Sequence, residues 1–437
     1  MARSSQPAIN RAEKTWVKIV KAGLITAGIL LIWRLAYNVP VPLIDRNILG
    51  AQDSLFGFLN VLSGGALSQY SIVALGVMPY ITAQIIVEML QMDVVPAFKE
   101  WADEGVEGKT KLNAVTRYLS IAIAFIQALT IAVGVSAYYN GSIFTAGVYA
   151  NAFTYVYLAL VMTAGTGVVL WLADLITVHG IGNGVSMFIV AGIIAEYPEM
   201  ISTLVETYIT GDDCNAGTVI AFFGILLFMV AIVIAIIFME QAQRKIPVQY
   251  ANRPAGAALS GQMDSSIPVK LNPASVIPVI FASTLMSLPS TIASFLDSSS
   301  TAYSILHACF TTSEPIGFAL YMILIYIFTF FYSFMQMDPE KMADNLKKQN
   351  AYIPGIRPGD ETASYISRVL FKVCVIGATY LAVIAALPII MVQIFNLPSD
   401  VEVGGTGLII VVGVAIETVQ QLKAQTKEAD YKGFMGK

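Results

Sequence analysis

Apolar runs of about 20 residues, the length of a membrane-crossing helix, recur from one end of this 437-residue chain to the other. Wound as an α-helix, a run of that length crosses the roughly 30 Å hydrocarbon layer of a bilayer. At that depth every backbone N–H and C=O needs a partner within the protein, which leaves helices or closed barrels as the spanning structures. The runs sit near residues 19–39, 73–92, 117–137, 153–174, 184–204, 217–239, 273–295, 316–335, 368–391 and 405–422. They predict an all-α, polytopic membrane protein with ten transmembrane helices. Charged residues make up only 12% of the chain, about half the share of a soluble domain, and no polar stretch between the runs is long enough for a soluble domain of ordinary size.

Ten spans place both termini on one side. Assigning that side to the cytosol puts 19 of the 25 Lys and Arg in cytosolic segments, as the positive-inside rule requires. Arg46 is the one basic residue of the outer segments, and Lys21, Arg34, Arg117, Arg368 and Lys372 fall within or at the ends of spans. Sidedness carries the information here; the net charge of −4 does not, and nothing points to nucleic acid. Residues 1–18 are polar and basic, without the apolar core and cleavage site of a removable signal peptide.

Five spans lie on either side of residue 211, giving halves 1–204 and 205–437 of nearly equal length. An odd number of spans per half forces opposite orientations, which suits an inverted repeat. The outer segment 40–72 includes a stretch, 55–72, too short and Gly-rich to span and too apolar for an exposed loop. It either folds back into a cavity of the protein or lies as an interfacial helix on the outer leaflet. The cytosolic segments 241–272 and 336–367 mix basic residues with Pro and Gly, and read either as docking surfaces or as connectors obeying the charge rule.

Catalytic and metal signatures are missing. Gly108-Lys109-Thr110 fails as a phosphate loop because Asp103 stands where the first glycine belongs. His179 and His307 fall on opposite sides of the membrane and cannot share a metal. Of the five carboxylates within spans, Glu88, Asp174, Glu240 and Glu417 lie toward the cytosol, and Glu196 lies in an outer half, just before Pro198. An ion-coupled transporter places such groups near the midplane at broken helices. Three cysteines have no metal-like spacing; Cys374 sits in an apolar run, while Cys214 and Cys309 share the outer side and are the one pair open to a disulfide. The chain is therefore expected to be no enzyme and to carry no cofactor or metal.

Several short motifs recur together. They are Val39-Pro40-Val41-Pro42-Leu43-Ile44-Asp45, then Ser63-Gly64-Gly65-Ala66-Leu67-Ser68 followed by Leu75-Gly76-Val77-Met78-Pro79-Tyr80-Ile81, and Gly180-Ile181-Gly182-Asn183-Gly184. Further on come Asn272-Pro273-Ala274-Ser275-Val276-Ile277-Pro278, Ala343-Asp344-Asn345-Leu346-Lys347-Lys348, Ile353-Pro354-Gly355-Ile356-Arg357-Pro358-Gly359 and Gly404-Gly405-Thr406. In order and spacing they resemble the SecY family of protein-conducting channels, bacterial type, from about residue 15 to Tyr431-Lys432-Gly433-Phe434.

The resemblance implies an hourglass pore in the cytoplasmic (inner) membrane that conducts unfolded polypeptides and releases transmembrane segments sideways into lipid. Carried over by motif, its neck ring is Val77, Ile81, Val185, Ile189, Ile280 and Ile410, and its plug includes Leu62, Ser63, Gly64, Gly65, Ala66, Leu67 and Ser68. All six ring residues are β-branched and stiff, and a constriction of such side chains dewets and resists ions. A lateral gate is implied at Thr82, Gln127 and Ser287, or Leu288 beside it; these polar groups serve equally well to satisfy their own neighbours. Arg244, Lys245 and Arg357 match positions that engage the ribosome or the SecA motor, and Arg suits bidentate contacts to phosphate or carboxylate. SecE and SecG subunits, signal peptides and nascent chains are the other implied partners. The rival readings are an accessory SecY paralogue for special substrates and, further off, a secondary transporter.

Overall fold

The computed structural model describes residues 9–44, 63–67, 69–91, 95–138, 144–145, 151–210, 216–250, 266–294, 296, 300–395 and 399–435. The spans are α1 (Ile9–Tyr37), α2 (Met78–Leu90), α4 (Val106–Tyr138), α5 (Ala152–His179), α6 (Gly184–Val205), α7 (Ala216–Gln241), α8 (Ile277–Ser294), α10 (Pro315–Gln336), α12 (Asp360–Phe395) and α13 (Ser399–Met435). Between them stand short helices α3 (Pro96–Asp103), α9 (Thr301–Phe310) and α11 (Pro339–Lys348), and strands β1 (Gln243–Pro247), β2 (Gln249–Tyr250), β3 (Ser266–Lys270) and β4 (Ala351–Tyr352). Among the described residues, eight helices are long and apolar enough to cross a membrane, and α2 and α8 are apolar but shorter. Together they occupy the ten predicted positions, and the protein is a multi-pass membrane protein.

Local chemistry sets the helix boundaries. Pro79, Pro96, Pro315 and Pro339 stand in the first turn of their helices, where a missing N–H costs nothing. Asn183 caps α6, its Oδ1 accepting from the Val185 N–H at 3.0 Å, and Asp338 caps α11 through the N–H groups of Glu340 and Lys341. Gly182 turns the chain from α5 into α6 at φ +78°, a value β-carbon-bearing residues seldom adopt. Thr26 of α1 and Thr177 of α5 complete the turn by accepting from the Ile181 and Gly184 N–H groups.

The first five spans pack in sequence, α2 on α4, α4 on α5, α5 on α6, with α1 against α5; in the last five, α8 packs on α10, α10 on α12 and α12 on α13. The two groups meet where α2 touches α8 and where α6 touches α13. One large apolar core runs through both groups. A second, smaller core under segments 241–272 and 336–367 joins Ile246, Val248 and Val269 to Leu346, Ile353 and Ile366.

The strands of segments 241–272 and 336–367 depart from the all-α expectation. β1 and β3 pair antiparallel within the first, with Arg244 opposite Val269 and Lys245 opposite Pro268. β2 then pairs with β4 of the second, where Tyr352 also donates its hydroxyl to Gln249 at 3.1 Å. The alternation of buried Ile246 and Val248 with exposed Lys245 and Pro247 is the period-two signal of a strand. It is too short to stand out beside spans of 20 residues and more.

Candidate functional site

Four helices carry the six aliphatic candidates. Val77 sits at the N-cap of α2 with Ile81 one turn on; Val185 and Ile189 stand one turn apart on α6; Ile280 belongs to α8 and Ile410 to α13. Val77, Ile81, Ile189, Ile280 and Ile410 are between 0% and 7% exposed, and Val185 is half-buried against the same apolar cluster. Those helices pair as α2 with α8 and α6 with α13, two of the contacts between the first and last five spans. None of the six side chains offers a hydrogen bond to water or an ion.

The described part of the candidate plug segment, 63–67, contributes Ala66 and Leu67 to the same cluster. Ser63, Ala66 and Leu67 are buried, and Gly64 and Gly65 take φ of +68° and +79°. Such successive left-handed residues need glycine. Tyr70, itself buried, fastens the segment to α4 by donating to the Ile131 carbonyl at 3.2 Å, and its own carbonyl accepts from the Val41 N–H at 2.9 Å. Burial of this kind matches folding into the protein and not an outer-leaflet surface helix. Leu62 and Ser68 lie outside the described residues, as does Cys214; Cys309 is a free thiol on α9.

The gate candidates occupy the helices expected of them, α2, α4 and α8, and α2 touches α8. Their hydroxyls turn inward on their own helices: Thr82 donates to the Met78 carbonyl at 3.2 Å and Ser287 to the Thr284 carbonyl at 3.1 Å. Gln127 is half-buried on α4. Both hydroxyls are thus satisfied within their own helices.

Of the docking candidates, Arg244 and Lys245 project from β1, both exposed. The Arg357 side chain is 88% exposed, 4.0 Å from Glu361, and its carbonyl accepts from Thr362 at 2.8 Å. Lys270, at the end of β3, reaches α13 by donating to Gln420 at 2.9 Å.

The carboxylates within the spans have neighbours inside the protein. Asp174 of α5 pairs with Arg117 of α4 at 2.8 Å; Glu88 accepts from Gln84 at 2.8 Å; Glu240 accepts from Asn272 at 3.0 Å. Glu196 stands against the plug glycine Gly65. Among the described residues no three His, Cys, Asp or Glu side chains converge as a metal site would need. Reading by motif overlooked the surroundings of the plug, namely Trp33, Arg34 and Tyr37 of α1 and Phe188 of α6. The signal available was a cation, Arg34, inside an apolar run.

The fold is that of protein-conducting channels. A solved structure titled "The structure of a protein conducting channel" superposes with a TM-score of 0.64 at 17% identity, covering 96% of this chain and 95% of that one. The channel in "Sec61 in the Canine ribosome-channel complex from the endoplasmic reticulum" gives 0.63 at 17% identity with the same coverage. In sequence, the protein translocase subunit SecY of Bacillus licheniformis is 44% identical over 94% of this chain and 95% of its own. That of Staphylococcus aureus is 41% identical over 94% and 95%. A family model described as SecY matches residues 71–419, and the chain belongs to the SecY family of protein-translocase channels.

Proposed function

We propose that the chain is a passive, gated conduit of the cytoplasmic membrane, with both termini in the cytosol, that moves unfolded polypeptides outward and releases transmembrane segments sideways. What supports this is the place of Val77, Ile81, Val185, Ile189, Ile280 and Ile410 in one apolar cluster, on helices of which α2 touches α8 and α6 touches α13, with 1–204 and 205–437 as the two halves of the conduit. A neck of stiff, apolar side chains excludes water and ions while it is narrow, and parts for a chain pushed through it.

The segment 55–72 acts as the plug that seals the idle neck. A signal peptide enters the seam between α2 and α8 near Thr82, Gln127 and Ser287, and a seam whose hydroxyls are satisfied within their own helices closes and reopens readily. Arg244, Lys245 and Arg357 receive SecA or the ribosome, which supply the driving force, since the chain has no nucleotide motif of its own. SecE and SecG complete the channel. Expression in cells depleted of their own SecY tests the reading: restored export of general clients supports it. Rescue confined to a few clients makes the chain an accessory paralogue, and no rescue with normal membrane assembly overturns the reading.

A further inference from the structure

Two intramembrane charges left unused by the neck and the docking loops close on the same two plug residues. From α1, Arg34 donates Nη1 to the Gly64 carbonyl at 2.9 Å and lies over the Tyr37 ring, 4.1 Å from its centre. From α6, Glu196 presses its carboxylate on Gly65, where an added Cβ would strike Oε1 and would stand 3.0 Å from the Tyr37 hydroxyl. Gly64 is held as closely: an added Cβ would come within 2.9 Å of Trp33 and 3.0 Å of the Gly192 backbone. Trp33 in turn packs edge-on against Phe188 of α6 at 5.6 Å.

An arginine that merely anchored α1 would turn its head toward lipid headgroups and water. This one binds a backbone carbonyl 30 residues along the chain. The bond is charge-assisted and directional, so it breaks in a single step where a diffuse apolar contact would loosen by degrees. We propose that Arg34 and Glu196 are positioning residues that form a charged clasp on Gly64 and Gly65, holding the plug in the resting channel. The proposal rests on reading 55–72 as the plug. Opening then requires the clasp to release.

The test uses the reconstituted translocase complex in planar bilayers, with alkylation of an Ala66→Cys variant by a membrane-impermeant maleimide added outside. Ala66 is fully buried. Arg34→Gln is expected to raise idle ion leak roughly tenfold, the factor for loss of one charge-assisted hydrogen bond, and to expose Ala66→Cys to label. Glu196→Gln shifts both readouts in the same direction. Wild-type leak and a protected thiol in Arg34→Gln overturn the clasp; should that variant fail to assemble, the same outcome in Glu196→Gln decides. Deletion of 63–67 separates the two ideas. A deletion that leaks while Arg34→Gln stays tight removes the clasp alone, and a deletion that leaves conductance unchanged removes the plug reading and the clasp with it.

Discussion

Asn272 donates its side-chain amide to Glu240 at 3.0 Å and to the Ser275 carbonyl at 2.8 Å, tying the inner end of α7 to the turn that opens α8. Glu240 is 4% exposed, and Ser275 holds a φ of +53° in that turn. Asn272→Leu keeps the volume and removes the donor, leaving a buried carboxyl short of a partner. The cost is about 1.5–3 kcal/mol. A fall in the Tm of the detergent-purified protein is the expected result, and an unchanged Tm would mean that the bond is idle.

Polarity at the neck should open a path for ions. Ile81 and Ile189 lie on α2 and α6, both 3% exposed in the shared apolar cluster. Serine at both positions supplies hydroxyls that water can bridge, which abolishes dewetting. Single-channel recordings in planar bilayers should show a steady ion conductance that the unaltered channel lacks. A silent double variant that is properly assembled removes these two residues from the neck.

Charge reversal at Arg357 should uncouple docking from assembly. The side chain is 88% exposed and only 4.0 Å from Glu361; a surface pair of that kind contributes about 0–1 kcal/mol to stability. Arg357→Glu is therefore expected to insert and fold normally while export driven by SecA or by the ribosome collapses. Vesicle translocation assays check it, and export at the unaltered rate excludes the docking role.

Close packing at the α5–α6 turn makes a fourth case. A Cβ on Gly184 would run into the carbonyl of Ala173, backbone on backbone, with no side chain able to swing aside. Gly184→Ala should cost about 1–3 kcal/mol, the usual range for overpacking. Gly167 faces open space on the same helix as Ala173, so Gly167→Ala serves as the control that leaves Tm in place.

Spans were the most legible part of the sequence because a bilayer imposes one length and one polarity on every crossing. All ten apolar runs became helices, although the run starting at 73 turns helical only at Met78, after the left-handed Gly76 and beside Pro79. The short strands were invisible for the opposite reason: β2 and β4 are two residues each, and their partners lie about a hundred residues apart. Pairing at that distance has no local pattern. The burial of residues 63–67 followed from composition as one of two alternatives for a Gly-rich apolar stretch. Its socket did not, because Arg34 and Gly64 become neighbours only when α1 and α6 close on them.

The β2–β4 pairing has a mechanical consequence. It welds the segment after α7 to the segment before α12, with a common apolar base under both. A force applied at either segment is thereby shared among the four helices α7, α8, α10 and α12 that root them.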